Sequence, residues 1–257
     1  MAKISIAKNP IPTSDGCHFF LKNAFSPSRC VVWAAALLAG CGPPSSSAWL
    51  PLDKGHSQTY RVTVTGSEDG PDGAAPAQSW TVATEGSTQL NGDTVWTRRH
   101  SEGVTFYLKH DASGIRRVAQ RTDIDEAPTE DPEPRWVLKA PYTVGTEWTT
   151  PTVPYLLQRK NEHPRELKHT HKVHMTWRIE AVDDTVTTPK GFHQPCLRVV
   201  GRAELNLYTD PVNGFTNVPL VGREWYCQGV GLVKFEREET VPKGFMTGGK
   251  LTAEWAH

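Results

Sequence analysis

The sequence lacks an excess of charge of either sign. Its 257 residues carry 28 basic and 28 acidic side chains, so the formal net charge is zero. Proteins that bind nucleic acid owe much of their affinity to basic side chains that neutralise phosphates. The balanced charge therefore argues against nucleic-acid binding, and we expect no nucleic-acid partner.

The sequence also lacks long apolar runs and the common catalytic motifs. No stretch reaches the roughly 18–20 apolar residues that a helix needs to cross a bilayer. No G-x-S-x-G elbow, H-E-x-x-H pair, phosphate-binding loop or dinucleotide fingerprint occurs. Triad residue types stand together at His110–Ser113, but triads are assembled in space, so adjacency within one turn is no evidence. We expect a non-enzymatic protein without catalytic residues or cofactors.

What the composition does contain favours strands and turns. Methionine is scarce, with 3 residues, whereas the chain has 21 glycines, 20 prolines and 9 tryptophans. Glycine and proline mark turns, and aromatic and β-branched residues are enriched in strands.

The N-terminal region is typical of a secretory signal. Lys22 and Arg29 precede the apolar run at 31–38, and two small residues lie directly before Cys41. A basic region, a short apolar region and a small-residue site follow one another in this order in signal peptides. We therefore predict a signal peptide over residues 1–40. The 30 residues before the apolar run form an unusually long lead-in, so we expect that the true start lies later.

Residues Leu38–Cys41 resemble the lipobox of bacterial lipoproteins. The resemblance implies that Cys41 becomes the first mature residue, with a thioether-linked diacylglycerol and an acylated, for example palmitoylated, amine. Several acyl chains anchor a protein stably, at about 0.8 kcal/mol per buried CH₂. Gly42 is similar to the residue found in outer-membrane cargo, which implies a lipid anchor in the outer membrane facing the periplasm. The alternative is a buried helix that ends in a structural cysteine.

Residues 41–48 have the composition of a flexible linker, with two prolines and three serines in succession. This composition favours the lipoprotein interpretation over a buried helix. We predict a lipidated cysteine and a linker over 41–48, followed by a single β domain over 49–257.

Alternating apolar residues predict antiparallel strands in this domain. The clearest examples are residues 60–65, 173–181 and 197–207, each with one apolar face. Shorter candidates are 79–84, 94–100, 104–109, 115–121, 135–139, 222–227 and 230–238. Residues 123–134 and 149–171 have the character of loops, and 154–160 could form one short helix. We predict an all-β fold: an antiparallel meander that forms a strongly curved sheet or open barrel, with two similar halves as a further option.

The second half of the chain carries another resemblance. Thr188–Phe192 before Cys196–Val199, and Trp225–Lys234 near the end, resemble a pattern found in a group of poorly characterised bacterial envelope lipoproteins. The shared residues are turn glycines and core aromatics. The resemblance therefore implies a fold and a location, and it supplies no catalytic residue.

Of the five cysteines, Cys17 and Cys30 lie in the predicted signal peptide, so Cys196 and Cys227 are the pair that remains after Cys41. In an oxidising envelope compartment an even pair suggests a disulfide, and the predicted strands could bring the two within reach. The alternative is two unpaired buried cysteines.

Two polar stretches could hold metals. His169 and His171 would share one face of a strand and are weak metal candidates, although His174 would fall on the other face and lysines surround them. The acidic run at 123–133 lacks the spacing of an EF-hand. Solvated loops explain both stretches better, and we expect no metal.

Three functions remain open at the level of sequence. The first is a lipid-anchored envelope protein that acts as a binding or assembly module, held at the membrane by its anchor. The second is a carrier of a lipid or other apolar ligand in the concavity of the sheet, which broadly resembles the lipoprotein-carrier architecture. An envelope hydrolase is the weakest. A roomy apolar concavity would favour the carrier. We expect the tryptophans at 80, 96, 136, 148, 177 and 225 to serve the core of the sheet.

Overall fold

The computed structural model describes residues 46–66, 76–160, 165–212, 214–241 and 246–257. These residues belong to one compact unit, Gly42–His257. The predicted signal peptide and Cys41 lie outside the described residues, as does most of the linker.

About 70% of the described chain is strand, which confirms the all-β prediction. In chain order the strands are β1 (Ser57–Thr65), β2 (Gln78–Leu90), β3 (Asp93–His100), β4 (Val104–Asp111), β5 (Gly114–Thr122), β6 (Thr129–Lys139), β7 (Glu147–Thr152), β8 (Gln158–Arg159), β9 (Val173–Thr188), β10 (Gly191–Asp210), β11 (Gly214–Cys227), β12 (Gly231–Glu239), β13 (Met246–Thr247) and β14 (Gly249–Trp255).

Twelve strands form one antiparallel sheet in the order β6-β5-β4-β3-β2-β1-β14-β12-β11-β10-β9-β7. Its two edges approach each other: Arg135 of β6 donates a hydrogen bond of 3.2 Å from Nη1 to the carbonyl oxygen of Pro151 in β7. The sheet is therefore curved until it nearly closes into a barrel. The small strands β8 and β13 pair separately.

Apolar side chains fill much of the concave side. One cluster joins Leu157 and Leu167, from the segment between β7 and β9, to strand residues at Met175, Leu205, Leu207, Val218, Leu220 and Met246. Burying one leucine contributes roughly 1.5–3 kcal/mol, so these two leucines hold an otherwise irregular segment against the sheet. A second cluster surrounds Ile179, Leu197 and Val199.

Helical structure is minimal. The short helix α1 (Ser46–Trp49) precedes β1, and one 3-10 turn covers Leu167–His169. Within the described residues, no helix combines the length and the apolar character that a membrane crossing needs.

The helix expected at 154–160 does not form. Gln158 and Arg159 pair with β13 instead. The chain also returns on itself, since the N–H of Leu167 bonds to the carbonyl of Leu157 at 3.1 Å. These bonds take the backbone groups that a helix would have used.

Two predicted loops are partly strand. β6 begins at Thr129, within the acidic run, although it contains Pro132 and Pro134. Prolines are tolerated at a sheet edge because an edge strand needs no donor on its outer side, and β6 is an edge strand. β7 likewise extends to Thr152.

Candidate ligand-binding cavity

A cavity of about 400 Å³ lies on the concave side of the sheet. This volume falls within the roughly 300–1,000 Å³ that ligand pockets have. Its walls come from strands far apart in the sheet, such as Phe106 of β4 and Trp177 of β9, so the curvature of the sheet encloses it. Most of the lining is apolar or aromatic: Leu50, Tyr60, Trp80, Val82, Phe106, Leu108, Trp136, Val137, Val153, Trp177, Leu232, Phe235 and Ala253.

A segment between β7 and β8, here called the strap (Val153–Leu157), forms part of the wall. Val153 and Tyr155 both line the cavity, and Tyr155 is half exposed. Because the strap is not part of the sheet, its backbone must be held by other groups.

A buried ion pair holds the strap. The Glu239 carboxylate accepts hydrogen bonds from the N–H groups of Tyr155, Leu156 and Leu157, at 2.9, 2.8 and 3.2 Å. Arg237 donates to the same carboxylate at 2.7 Å and to the carbonyl of Val153 at 3.3 Å. Both charged side chains are almost fully buried. The pair thus satisfies backbone groups that would otherwise be buried without partners.

A second set of ion pairs joins β5 and β6 at the wall of the cavity. Asp131 binds Arg117 with two bonds of 2.7 Å and lies 3.0 Å from Nε of Arg135. Both arginines line the cavity, and the guanidinium of Arg117 also lies over the ring of Phe106 at 5.2 Å. The Asp131 carboxylate therefore links Arg117 of β5 to Arg135 of β6. Arg135 in turn donates a hydrogen bond to the carbonyl of Pro151 in β7.

Arg98 of β3 differs from these two arginines. It lines the cavity and is only 8% exposed. Its Nε, like that of Arg135, is buried without a hydrogen bond, but Arg135 has the Asp131 carboxylate at 3.0 Å. Within the described residues no carboxylate lies at ion-pair distance from Arg98. Burial lowers the pKa of Arg98, but a guanidinium stays protonated in proteins. The cavity wall thus contains an uncompensated positive charge.

The acid in the lining is Glu224 of β11. Its carboxylate accepts a bond of 2.6 Å from the hydroxyl of Tyr226. Burial raises the pKa of Glu224 to about 7, with Tyr226 and Arg237 opposing the shift. Glu224 keeps part of its surface open to the cavity although it lies deep within the fold. Near neutral pH it is therefore close to half protonated.

Two tyrosines complete the polar part of the wall. The Tyr60 hydroxyl donates to the carbonyl of Leu232 at 2.7 Å, and burial raises its pKa to about 12. Burial also raises the pKa of Tyr226 well above its ordinary value. Both phenols therefore stay neutral.

His100 lies two residues beyond Arg98 on the same face of β3. Its ring packs edge-on against Trp80, with the centroids 5.4 Å apart. Burial lowers its pKa, and the carboxylate of Glu102 partly opposes this. At neutral pH the imidazole is uncharged and adds to the aromatic wall.

The disulfide that the sequence suggests is present. Cys196 and Cys227 face each other directly across β10 and β11 and are bonded. The bridge packs with Val186 and Val233 outside the cavity lining. The disulfide joins β10 to β11 covalently, and its sulfur atoms do not line the cavity.

The metal candidates do not come together. His169 ends the 3-10 turn, and His171 lies in the loop before β9, with Nδ1 2.8 Å from the Thr170 hydroxyl. The expectation that they share a strand face is wrong, because β9 begins only at Val173. His174 lies against Glu133 of β6, at 3.2 Å. Across the described ranges, no three His, Cys, Asp or Glu side chains are grouped to hold a metal.

The acidic run is used within the fold. Asp123 pairs with Arg99 at 2.9 Å, and Asp131 binds the two arginines described above. Asp125 accepts bonds from the N–H and the hydroxyl of Thr122.

The tryptophans divide between core and cavity. Trp148 is buried in the core, as expected, but Trp80, Trp136 and Trp177 line the cavity. These three also pack against buried core clusters, as expected, so they serve both the core and the cavity wall. Arg98 and Glu224 also line the cavity, and neither is among the site residues predicted from the sequence. Period two in β3 places Arg98 on the face of Trp96 and His100, and this was the signal that could have revealed it.

No protein-family profile matches the sequence, and neither does any curated protein. Two solved structures are similar to the chain at 14% identity and a TM-score of 0.34. One is a protein from Bacteroides fragilis described as exported and as having a YmcC-like fold; the match covers 81% of this chain and 97% of that one. The other is described as a lipoprotein, from Parabacteroides distasonis, with 80% and 97% covered. At such low similarity neither carries an argument about the function of this chain.

Proposed function

We propose that this protein is a lipid-anchored, non-enzymatic binding protein of the bacterial envelope that holds an apolar ligand in its cavity. The observation that carries the proposal is the cavity of about 400 Å³ with its largely aromatic and aliphatic wall. Removing apolar surface from water favours binding by about 25 cal/mol per Å². A concavity filled with side chains would instead have favoured an assembly role.

The envelope location is proposed from the sequence. Leu38–Cys41 supplies the lipidation site, and the disulfide between Cys196 and Cys227 fits an oxidising compartment. Mass spectrometry of the protein from envelopes tests this part. A chain that begins at Cys41 with added acyl mass supports it, and an unlipidated chain that begins at Met1 contradicts it.

The proposal of a non-enzymatic role rests on the chemistry of the wall. Glu224 could move a proton, since its pKa is raised to about 7. Its hydrogen-bond partner is the neutral phenol of Tyr226. Within the described residues, no serine, cysteine or lysine lines the cavity. Thr150 and Thr152 do, but the Thr150 hydroxyl has no hydrogen-bond partner and that of Thr152 donates to the carbonyl of Val153, so neither is paired with a base.

Binding can be tested with ω-bromodecanol, a neutral chain whose bromine quenches tryptophan fluorescence on contact. The full chain with Cys41→Ser, which removes the proposed lipid site, needs no detergent. We expect saturable quenching because three tryptophans line the cavity. Quenching that rises linearly without saturation would contradict an internal site.

A matched pair of variants separates the cavity from the outer surface. Ala253 lines the cavity, and its neighbour Thr252 in β14 does not. Ala253→Leu fills part of the space and should weaken ω-bromodecanol binding several-fold. Thr252→Leu places the same side chain on the other face of the strand and should leave binding unchanged.

An assembly role is the second candidate, and the end of the β10–β11 hairpin favours it. Phe215 is 70% exposed and its ring packs against that of Tyr208, with the centroids 5.6 Å apart. Photocrosslinking from position 215 in intact envelopes tests this role. A single recurring protein adduct would support assembly, whereas adducts with lipid alone would not.

A further inference from the structure

We propose that the ligand of the cavity is an amphiphile with an acidic head group, and that this group pairs with the guanidinium of Arg98. This inference rests on the proposed function, because it assigns the ligand class of the same cavity. It adds polarity and orientation: the acidic end lies at Arg98 and the apolar chain along the aromatic wall.

The first observation is the state of Arg98 itself. The side chain is more than nine-tenths buried, lines the cavity, and has its Nε buried without a partner. A buried charge without a counter-ion is costly, and buried charges in proteins are normally paired. Arg237 shows how this chain treats a buried arginine when it serves the fold alone, since it is paired with Glu239 at 2.7 Å.

No group around Arg98 supplies a full negative charge at ion-pair distance. Tyr60 and Tyr226 are its electrostatic neighbours, and burial holds both phenols neutral at physiological pH. Glu224 bonds to Tyr226 and does not lie at ion-pair distance from Arg98, and near neutral pH it is only partly ionised because burial raises its pKa to about 7. His56, on which the charge of Arg98 also acts, has its pKa lowered by burial and stays neutral.

The other two arginines of the lining are engaged. Arg117 forms two bonds to Asp131, and Arg135 shares that carboxylate and donates to the carbonyl of Pro151. Together these three residues retain one net positive charge, to which Arg98 adds a second. Even when Glu224 is fully ionised, one net positive charge remains in the wall, and a neutral or cationic ligand would leave it unbalanced.

An arginine fork suits a carboxylate, sulfonate or phosphate, because it can donate two parallel bonds. The lining around Arg98 contributes aromatic side chains such as Trp80, Phe106 and Trp136, against which an alkyl chain can pack. Neither feature alone defines the ligand. An anionic head and an apolar tail together match both parts of the same wall.

The test compares ligands with one chain and different heads. Decanesulfonate, decanol and decyltrimethylammonium compete with ω-bromodecanol for the full chain carrying Cys41→Ser, at constant ionic strength, and sodium sulfate serves as an anion without a chain. We expect decanesulfonate to bind at least about tenfold more tightly than decanol, which corresponds to about 1.4 kcal/mol. Decyltrimethylammonium and sulfate should compete weakly.

Arg98→Met tests the assignment of the head-group site. It removes the charge and keeps an unbranched side chain, so decanol binding should persist while the preference for sulfonate falls close to one. Arg99→Met is the matched control, because Arg99 is the next residue of β3 and pairs outside with Asp123. It should keep the full preference. If Arg98→Met does not fold, Arg98→Gln carries the same expectation.

The outcomes separate the two proposals. Equal binding of decanol and decanesulfonate would overturn the head-group assignment and leave the proposed function intact. Failure of every chain-bearing probe to bind would overturn the proposed function itself. A preference that survives Arg98→Met, or sulfate that binds as tightly as decanesulfonate, would also overturn the inference.

Discussion

The indole ring of Trp177 packs so closely against Gly201 that a side chain at Gly201 would collide with it. A Cβ built there would come within 2.7 Å of ring atom Cδ2. Gly222, which pairs with Gly201 across β10 and β11, leaves the same space, since its Cβ would come within 2.6 Å of Cη2. The two facing glycines thus leave the space that the Trp177 ring occupies, and the ring there lines the cavity.

Gly201→Ala should therefore destabilise the protein. Forcing an extra methyl group into a packed core costs about 1–3 kcal/mol, and here the methyl group meets a rigid ring. Urea unfolding followed by circular dichroism measures the free energy of unfolding. The same substitution should weaken ω-bromodecanol binding, because the displaced ring moves toward the ligand space.

A double-mutant cycle identifies the ring as the cause. In a Trp177→Phe background the smaller ring leaves room, so Gly201→Ala should cost less than it does in the unmodified chain. An equal cost in both backgrounds would mean that the ring does not explain the loss, and that the Met175 sulfur, which the same Cβ would approach to 2.7 Å, or the backbone does.

Glu239→Gln tests the clamp on the strap. A neutral amide can still accept hydrogen bonds, but it leaves Arg237 as a buried unpaired charge, and breaking a buried pair in this way costs about 3–5 kcal/mol. We expect a loss of that order in the free energy of unfolding. Hydrogen exchange at the amides of 155–157 should rise more than elsewhere.

Glu238→Gln is the control for the clamp. Glu238 is the preceding residue of β12, is partly exposed and pairs with Arg223 at 3.4 Å. Exposed ion pairs contribute about 0–1 kcal/mol, so the change in stability should be small. If both substitutions cost the same, the assigned role of Glu239 is wrong.

The sequence predicts the strands well where one face is exposed to solvent and the other is buried. Tyr60 and Val62 in β1, and Met175 and Ile179 in β9, are buried on one face as the alternation indicates. β14 was missed although Leu251 and Ala253 alternate in the same way. It lies between β1 and β12 and joins the first strand to the second half of the chain. The alternation indicates a strand, but the pairing of that strand with distant partners leaves no mark in local sequence.

The sequence predicts a concave sheet but does not decide whether its concave side holds a cavity. The period of β3 and β11 places Arg98 and Glu224 on the inner faces, but an inner face can be filled or empty. Whether Arg98 has a partner depends on residues far away in sequence, such as Tyr60 and Tyr226. The option of a short helix over 154–160 failed because the group that binds the backbone of the strap, Glu239, lies more than 80 residues further along the chain.

Removing the disulfide should lower stability by about 3–4 kcal/mol on the chain-entropy model. The bridge joins residues 31 positions apart, and opening that loop increases the entropy of the unfolded chain. Urea unfolding of Cys196→Ala/Cys227→Ala measures the loss. Cys41→Ser should leave the unfolding midpoint unchanged, and an unchanged midpoint for the double variant would contradict a stabilising bridge.

Glu224 should make the stability of the protein depend on pH in a direction unusual for an acid. Its pKa is raised from an ordinary 4.5 to about 7 in the folded state, so between these values the folded chain binds more protons than the unfolded chain. Stability then falls as the pH rises through this window, by up to about 3 kcal/mol in total. Above pH 7 the contribution should level off, because both states are ionised.

Glu224→Gln isolates this effect, since glutamine cannot ionise but can still accept the hydrogen bond from Tyr226. The free energy of unfolding, measured for both proteins at pH 5, 6, 7 and 8, should show the unmodified chain losing stability relative to the variant as the pH rises. The histidines titrate in both proteins, so their contributions cancel in the difference. A difference that stays constant over this range would mean that Glu224 is ionised throughout, and the negative charge would then be available to compensate Arg98 without a ligand.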